Sequence, residues 1–237
     1  MNVSEAKINI GEVKTLREQL AQSIRDSIID GRIPPGERLT EEEIARQLGV
    51  SRTPVREAFF QLVSEGFAEV EPRRGVVVKE ISLRDAEETY ELKGVLEGLA
   101  ARLAADRCTP AMIERLTAVN DELYRLAKSG SADLREALRL NSEFHSLIND
   151  ACDNRKLARQ ITALRHQTLR YNYVFLSAAA RLTRSADEHR AIIAALAARD
   201  ADETERLLRL HNDAALATLR SRMLSHPSPT SPSRSPL

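Results

Sequence analysis

Two arginines stand one helical turn apart in the stretch Gly49-Val50-Ser51-Arg52-Thr53-Pro54-Val55-Arg56-Glu57-Ala58. Gly49 closes a preceding helix, Ser51 is a good N-cap for the next, and Pro54 is tolerated in a first turn, where no intrahelical partner is lost. Arg52 and Thr53 then sit at an exposed helix N-terminus and Arg56 follows on the same face. Val55, Phe59, Leu62 and Val63 recur at helical spacing on the opposite, core-forming face. The positive end of a helix dipole suits phosphate, and an arginine fork suits the O6/N7 edge of guanine, so this helix is shaped to read a DNA groove. The alternative is a surface helix with two solvated arginines, which only the flanking elements can decide.

A second group of residues could hold a metal. Asn141 and His145 are four residues apart, about 40° apart around a helix axis, and project from one face. His189 and His211 fall on two later helices, each flanked by apolar residues at helical spacing. Three imidazoles and an amide oxygen make a divalent-metal set with open positions for water or an acid, whereas separate core histidines would bind nothing. His166 and His226 have no comparable partners. Cys108 and Cys152 are too few and too far apart for a disulfide framework or a zinc finger.

The elements around the arginines read as a winged helix-turn-helix. A helix from Val13 carries Leu16, Leu20, Ile24, Ile28 and Ile29 and ends at Gly31, before the turn Pro34-Pro35-Gly36. Thr40-Glu41-Glu42-Glu43 reads as a capping box for a short helix ending at Gly49. Past Gly66, Phe67 to Glu71 and Val76 to Val78 form a hairpin around Pro72-Arg73-Arg74-Gly75, whose arginines can meet backbone or minor groove. From Ser82 onward, six helices follow with short connections. The first is boxed by Ser82 and Asp85 and shows Leu92, Val95, Leu96, Leu99 and Leu103 as its apolar face. The fifth is boxed by Ser185 and Glu188, and the sixth by Asp200 and Glu203. The expected architecture is mainly α: a flexible arm over 1–12, a winged helix-turn-helix over 13–80, an all-helical bundle over 81–225, and a disordered Pro- and Ser-rich tail over 226–237.

Charge argues against binding by a broad basic field: the chain has 35 basic and 35 acidic residues, and residues 1–80 hold 12 of the former against 14 of the latter. Any DNA contact must come from placed side chains. No run of eighteen apolar residues and no charged-then-apolar N-terminus is present, so neither membrane span nor secretory signal is expected and the cytoplasm is the expected location.

From about residue 14 to 223 the sequence resembles the GntR superfamily of bacterial transcription regulators, in its FadR-like subfamily with an FCD-type effector domain. Leu48 to Ala58 carries the first part of the likeness. Leu96-Glu97-Gly98-Leu99-Ala100-Ala101-Arg102-Leu103-Ala104, Asn141-Ser142-Glu143-Phe144-His145, Glu188-His189-Arg190-Ala191-Ile192 and His211 carry the second. The resemblance implies a non-enzymatic homodimeric repressor or activator on a pseudopalindromic double-stranded operator. It assigns Arg52, Thr53, Pro54, Arg56, Arg73, Arg74 and Gly75 to DNA, and Asn141, His145, His189 and His211 to zinc, nickel or manganese. It also assigns Lys93 and Arg102 to a small organic acid effector that completes the metal's coordination. Lys93 stands where many members carry arginine, Asn141 where many carry aspartate, and Glu42 where some carry a DNA-contacting arginine; six helices match the shorter, VanR-like domain. The rivals are a regulator whose pocket holds no metal, and a metal hydrolase using Glu143 or Glu188 as base.

Overall fold

The computed structural model describes residues 15–129, 133–175 and 179–225. The expected arm and tail, and the beginning of the first helix at Val13, lie outside them, as does His226. The chain divides between Glu80 and Ile81 into two compact units. In the first, α1 (Leu16–Ile29) opens on a capping box: the Thr15 hydroxyl accepts from the Glu18 amide and Glu18 Oε2 accepts from the Thr15 amide at 2.8 Å. Replacing Thr15 by alanine should cost about 1 kcal/mol, read as a lower urea midpoint with unchanged m-value.

The short α2 (Glu41–Leu48) ends on Gly49 at φ +67°, the left-handed conformation that a glycine adopts without a Cβ penalty. It leads into α3 (Arg52–Ser64). Thr40 and Ser51 occupy the N-cap positions, but neither side chain makes the expected capping bond, so the box at Thr40 is not formed. Val55, Ala58, Phe59 and Leu62 are buried, as the helical spacing requires. Arg25 of α1 is also buried and pairs with Glu65 through Nε and Nη2.

The hairpin is β2 (Ala68–Glu71) and β3 (Gly75–Val78), in antiparallel register from Ala68↔Val78 to Glu71↔Gly75. A third strand unanticipated from sequence, β1 (Arg38–Leu39), pairs with the other edge of β3, giving the order β1-β3-β2. Two residues are too short a run for strand periodicity to register.

The second unit is helical throughout its described residues: α4 (Leu83–Ala105), α5 (Pro110–Lys128), α6 (Leu134–Ala151), α7 (Arg155–Phe175), α8 (Ala179–Ala197) and α9 (Ala201–Ser225). Ser82, Thr109 and Asp200 cap as expected by accepting from the amides of Asp85, Met112 and Glu203. Ser185 does not: it lies inside α8 and is buried. Its sequence signature looks like a cap, yet the helix already runs from Ala179.

α4 packs on α9, α7 and α6, and α5 packs on α8 and α6. Leu116, Leu123, Phe144, Ile148, Ile192, Leu196 and Leu208 fill the core. A Cβ on Gly98 would come within 2.9 Å of Arg209 Cγ, so this glycine lets α9 lie close against α4. The rotation of α4 departs from the sequence expectation. Leu92 is 57% and Val95 48% exposed, with Leu99 also outward, while Lys93, Glu97, Ala100, Ala101 and Ala104 face inward. Among the described residues no helix is long and apolar enough to cross a membrane.

Candidate functional site

In the first unit Arg52, Arg56, Arg73 and Arg74 are all exposed. Gly49 ends α2 so abruptly that α3 starts three residues later, with Arg52, Thr53 and Arg56 exposed and Pro54 half-buried in its first turn. Carboxylates of α2 already face both guanidinium groups. Arg56 makes a bidentate pair with Glu41, Nε and Nη2 each 2.8 Å from a carboxylate oxygen, and Arg52 Nη2 lies 3.1 Å from Glu42. The bond to Arg56 lowers the Glu41 pKa and raises that of Arg56. At the hairpin tip Arg73 is exposed at φ +67°, beside Gly75. Arg74 is tied down, donating to Glu71 at 2.9 Å and to the Gly36 carbonyl at 3.0 Å.

In the second unit the fold brings three histidines together. His145 comes from α6, His189 from α8 and His211 from α9, all buried, with ligating nitrogens within 4.8 Å of one another. Their rings are held from behind. His189 stacks on Phe144 at a centroid distance of 3.8 Å. Asn120 Nδ2 donates to the Ala186 carbonyl, which leaves Asn120 Oδ1 to accept from His189 Nδ1 at 3.0 Å. That assignment puts the proton on Nδ1 and frees the lone pair of Nε2, which is buried without a partner. His211 Nδ1 likewise donates to Glu188 Oε2 at 2.7 Å, and His145 Nδ1 lies 3.6 Å from Glu97 Oε2.

Burial pushes the His145 and His189 pKa values well below the ordinary histidine range, with nearby positive charge acting in the same direction. Burial also lowers His211, against the upward pull of its bond to Glu188. The imidazoles are therefore held neutral, the form that ligates a metal. The Nδ1–H groups of His189 and His211 are backed by side-chain oxygens, as in the outer shell of histidine metal sites, and the orphaned His189 Nε2 fits such an ion.

The cluster adjoins a cavity of about 310 Å³ lined by Tyr90, Lys93, Asn141, His145, Arg165 and Arg181, among others. Asn141, one turn before His145, reaches this wall. Lys93 is buried, donating to Glu97 Oε2 at 2.8 Å and to Asn212 Oδ1 at 2.5 Å. Burial lowers the Lys93 pKa; for Glu97, burial acts upward but is outweighed by Lys93, Arg165 and Asn212. Arg102 is elsewhere. It is a half-buried residue bonded to Asp202 and Glu205, outside the cavity lining, so its assignment to an effector is withdrawn: at 100° per residue it lies well around α4 from Lys93.

Sequence reasoning missed Asn120, Glu97, Arg165 and Arg181, and it set aside His166, which also lines the cavity. Asn120 carried a signal, a lone amide on the apolar stripe of Leu116, Val119 and Leu123. Arg165 and Arg181 carried none, since a helical arginine usually points to solvent.

Residues 16–78 match the family described as bacterial regulatory proteins, gntR family, and residues 88–214 match the FCD domain. The chain is 33% identical to the probable D-xylose utilization operon transcriptional repressor of Paenarthrobacter nicotinovorans, over 82% of this chain and 86% of that protein. It is 32% identical to the HTH-type transcriptional regulator YdhC of Bacillus subtilis; that match covers 59% of this chain and less than two thirds, 62%, of YdhC. Among solved structures, E. coli McbR/YncC superposes with a TM-score of 0.75 at 25% identity, covering 88% of this chain and 99% of that one.

Proposed function

The chain belongs to the gntR family of bacterial regulatory proteins and carries an FCD domain, and on that premise we propose a homodimeric repressor, acting in the cytoplasm, whose grip on operator DNA is set by a small acid bound at a metal centre. The families and relatives it matches are transcriptional regulators rather than enzymes. In this reading Arg52, Thr53, Pro54 and Arg56 enter the major groove, and Arg73, Arg74 and Gly75 meet the flanking backbone or minor groove. A two-fold dimer would present two such helices to a pseudopalindromic site. The outward stripe of Leu92, Val95 and Leu99 on α4 supports self-association, because three apolar side chains on one helix face otherwise stay in water.

One observation carries the metal reading: buried His189 Nε2 has no partner, while its other nitrogen is fixed by Asn120. His145, His189 and His211 would hold zinc, nickel or manganese, with Asn141 as a further oxygen donor. A bound ion supplies a Lewis-acidic anchor for a carboxylate. The chain's own residues do the rest. Asn120 and Glu188 orient two of the rings, and Lys93 presents a positive charge on the cavity wall. Tyr90 lines the cavity and packs in a cluster with Tyr171 and Leu219, against which Ile81 rests. Ile81 lies in segment 79–83, which joins the units covalently, so an acid that favours one placement of Tyr90 would be felt there.

Metal analysis of tag-free protein tests the reading, and a thermal-shift screen of small acids before and after chelation tests the effector. Stabilisation by an acid only in the metal-loaded state is expected. Absence of metal together with acid binding after chelation would favour a metal-free pocket. Asn120→Ala should weaken metal affinity by about 10- to 100-fold with the fold retained, measured by competition with a chromogenic chelator.

A further inference from the structure

The cations around the cavity are not equivalent. Lys93 is matched by Glu97, and Arg181 by Glu188 at 3.1 Å. Arg165 is different. Its Nη1 donates to Ser146 Oγ at 2.8 Å and its Nη2 to the Ser142 carbonyl at 2.5 Å, both neutral oxygens. Among the described residues no carboxylate pairs with it, and Glu97 and Asp150 act on it only from a distance. It comes from α7, lines the cavity and is largely withdrawn from water.

A divalent ion on three neutral imidazoles would add two positive charges to this one. The two internal pairs cancel, so the lining would carry about three uncompensated charges, more than a single carboxylate can offset. Two carboxylates leave a residue of one.

We propose that the cavity selects a small dicarboxylate, with one carboxylate completing the coordination of the metal at His145, His189 and His211 and the other bound by the guanidinium of Arg165. The proposal rests on the metal-and-acid reading above and adds to it the class of acid and the residue that chooses it. Arg165 is suited to the part. A planar guanidinium already anchored by two neutral acceptors is pre-organised and loses little freedom when it takes a carboxylate. Lys93, engaged by Glu97 and Asn212, offers only a point charge. The volume of about 310 Å³ admits a chain of four or five carbons with accompanying water.

The test is calorimetric titration of tag-free, metal-loaded protein with matched pairs, succinate against butyrate and glutarate against pentanoate. The dicarboxylate should bind at least about tenfold tighter in each pair, as expected for one added charge-assisted contact. In Arg165→Gln the members of a pair should fall within about twofold of each other, the dicarboxylate losing far more affinity than the monocarboxylate. Arg165→Lys, which keeps the charge, serves if the glutamine variant does not fold, and should retain part of the preference. Equal affinity within each pair in the wild-type protein, or a preference that survives Arg165→Gln, would overturn the role of Arg165 while leaving a metal-bound monocarboxylate standing. Binding of no acid to metal-loaded protein would instead overturn the effector reading, and this inference with it.

Discussion

Purified His189→Ala is expected to hold no stoichiometric divalent metal under conditions where the wild-type chain retains one ion. Among the described residues His189 supplies the one buried side-chain nitrogen without a hydrogen-bond partner, and its ring is held by Phe144 stacking and by Asn120. Removing one of three imidazoles should lower affinity by at least about a hundredfold, beyond the 10- to 100-fold typical of losing an outer-shell partner. The measurement is metal content by plasma emission, accompanied by the shift in melting temperature on chelation. Wild type should lose stability when stripped and the variant should not. Alanine also leaves a hole against Phe144, so His189→Gln, which fills more of the space, separates lost ligation from lost packing. Equal metal in wild type and both variants would remove the histidine cluster from the metal reading.

For the proposed DNA contacts of α3, Arg52→Ala should weaken binding to an operator recovered by selection from random duplexes by about tenfold to a hundredfold, and should relax the preferred base at one position of each half-site. Fluorescence anisotropy at fixed salt reads the first effect and a repeated selection reads the second. Non-operator DNA should lose less, because phosphate contacts from the helix N-terminus and hairpin remain. Arg52 is a better probe than Arg56. It meets Glu42 through one nitrogen at 3.1 Å, whereas the paired Nε and Nη2 of Arg56 are both committed to Glu41 in the free chain. Exposed pairs of this kind are worth little, so neither prevents DNA contact. An operator titration that Arg52→Ala does not move would take this residue out of the interface.

The amino-acid sequence by itself determined the identity and order of the helices and of the β2–β3 hairpin, though not the two-residue β1. Gly49, the turn at 34–36 and the apolar spacing of Val55, Phe59 and Leu62 are local signals, and local backbone physics fixes helices, turns and a hairpin. The same holds for the pairing of Asn141 with His145 along one helix. What only the tertiary structure decided is which face of each helix turns inward. α4 shows this most clearly. Its most hydrophobic stripe, Leu92, Val95 and Leu99, is exposed, while Lys93 and Glu97 are buried against Asn212 of α9. Periodicity ranks faces by hydrophobicity, but a close helix contact at Gly98 and a buried ion pair hydrogen-bonded to Asn212 can outweigh that ranking. Convergence is likewise a tertiary matter: His145, His189 and His211 lie on three helices, and nothing along the chain measures the distance between them. Arg165 enters the cavity for the same reason, because the partners that make its burial tolerable, Ser142 and Ser146 of α6, are supplied by packing, whereas Arg181 is paired within its own helix by Glu188, seven residues on.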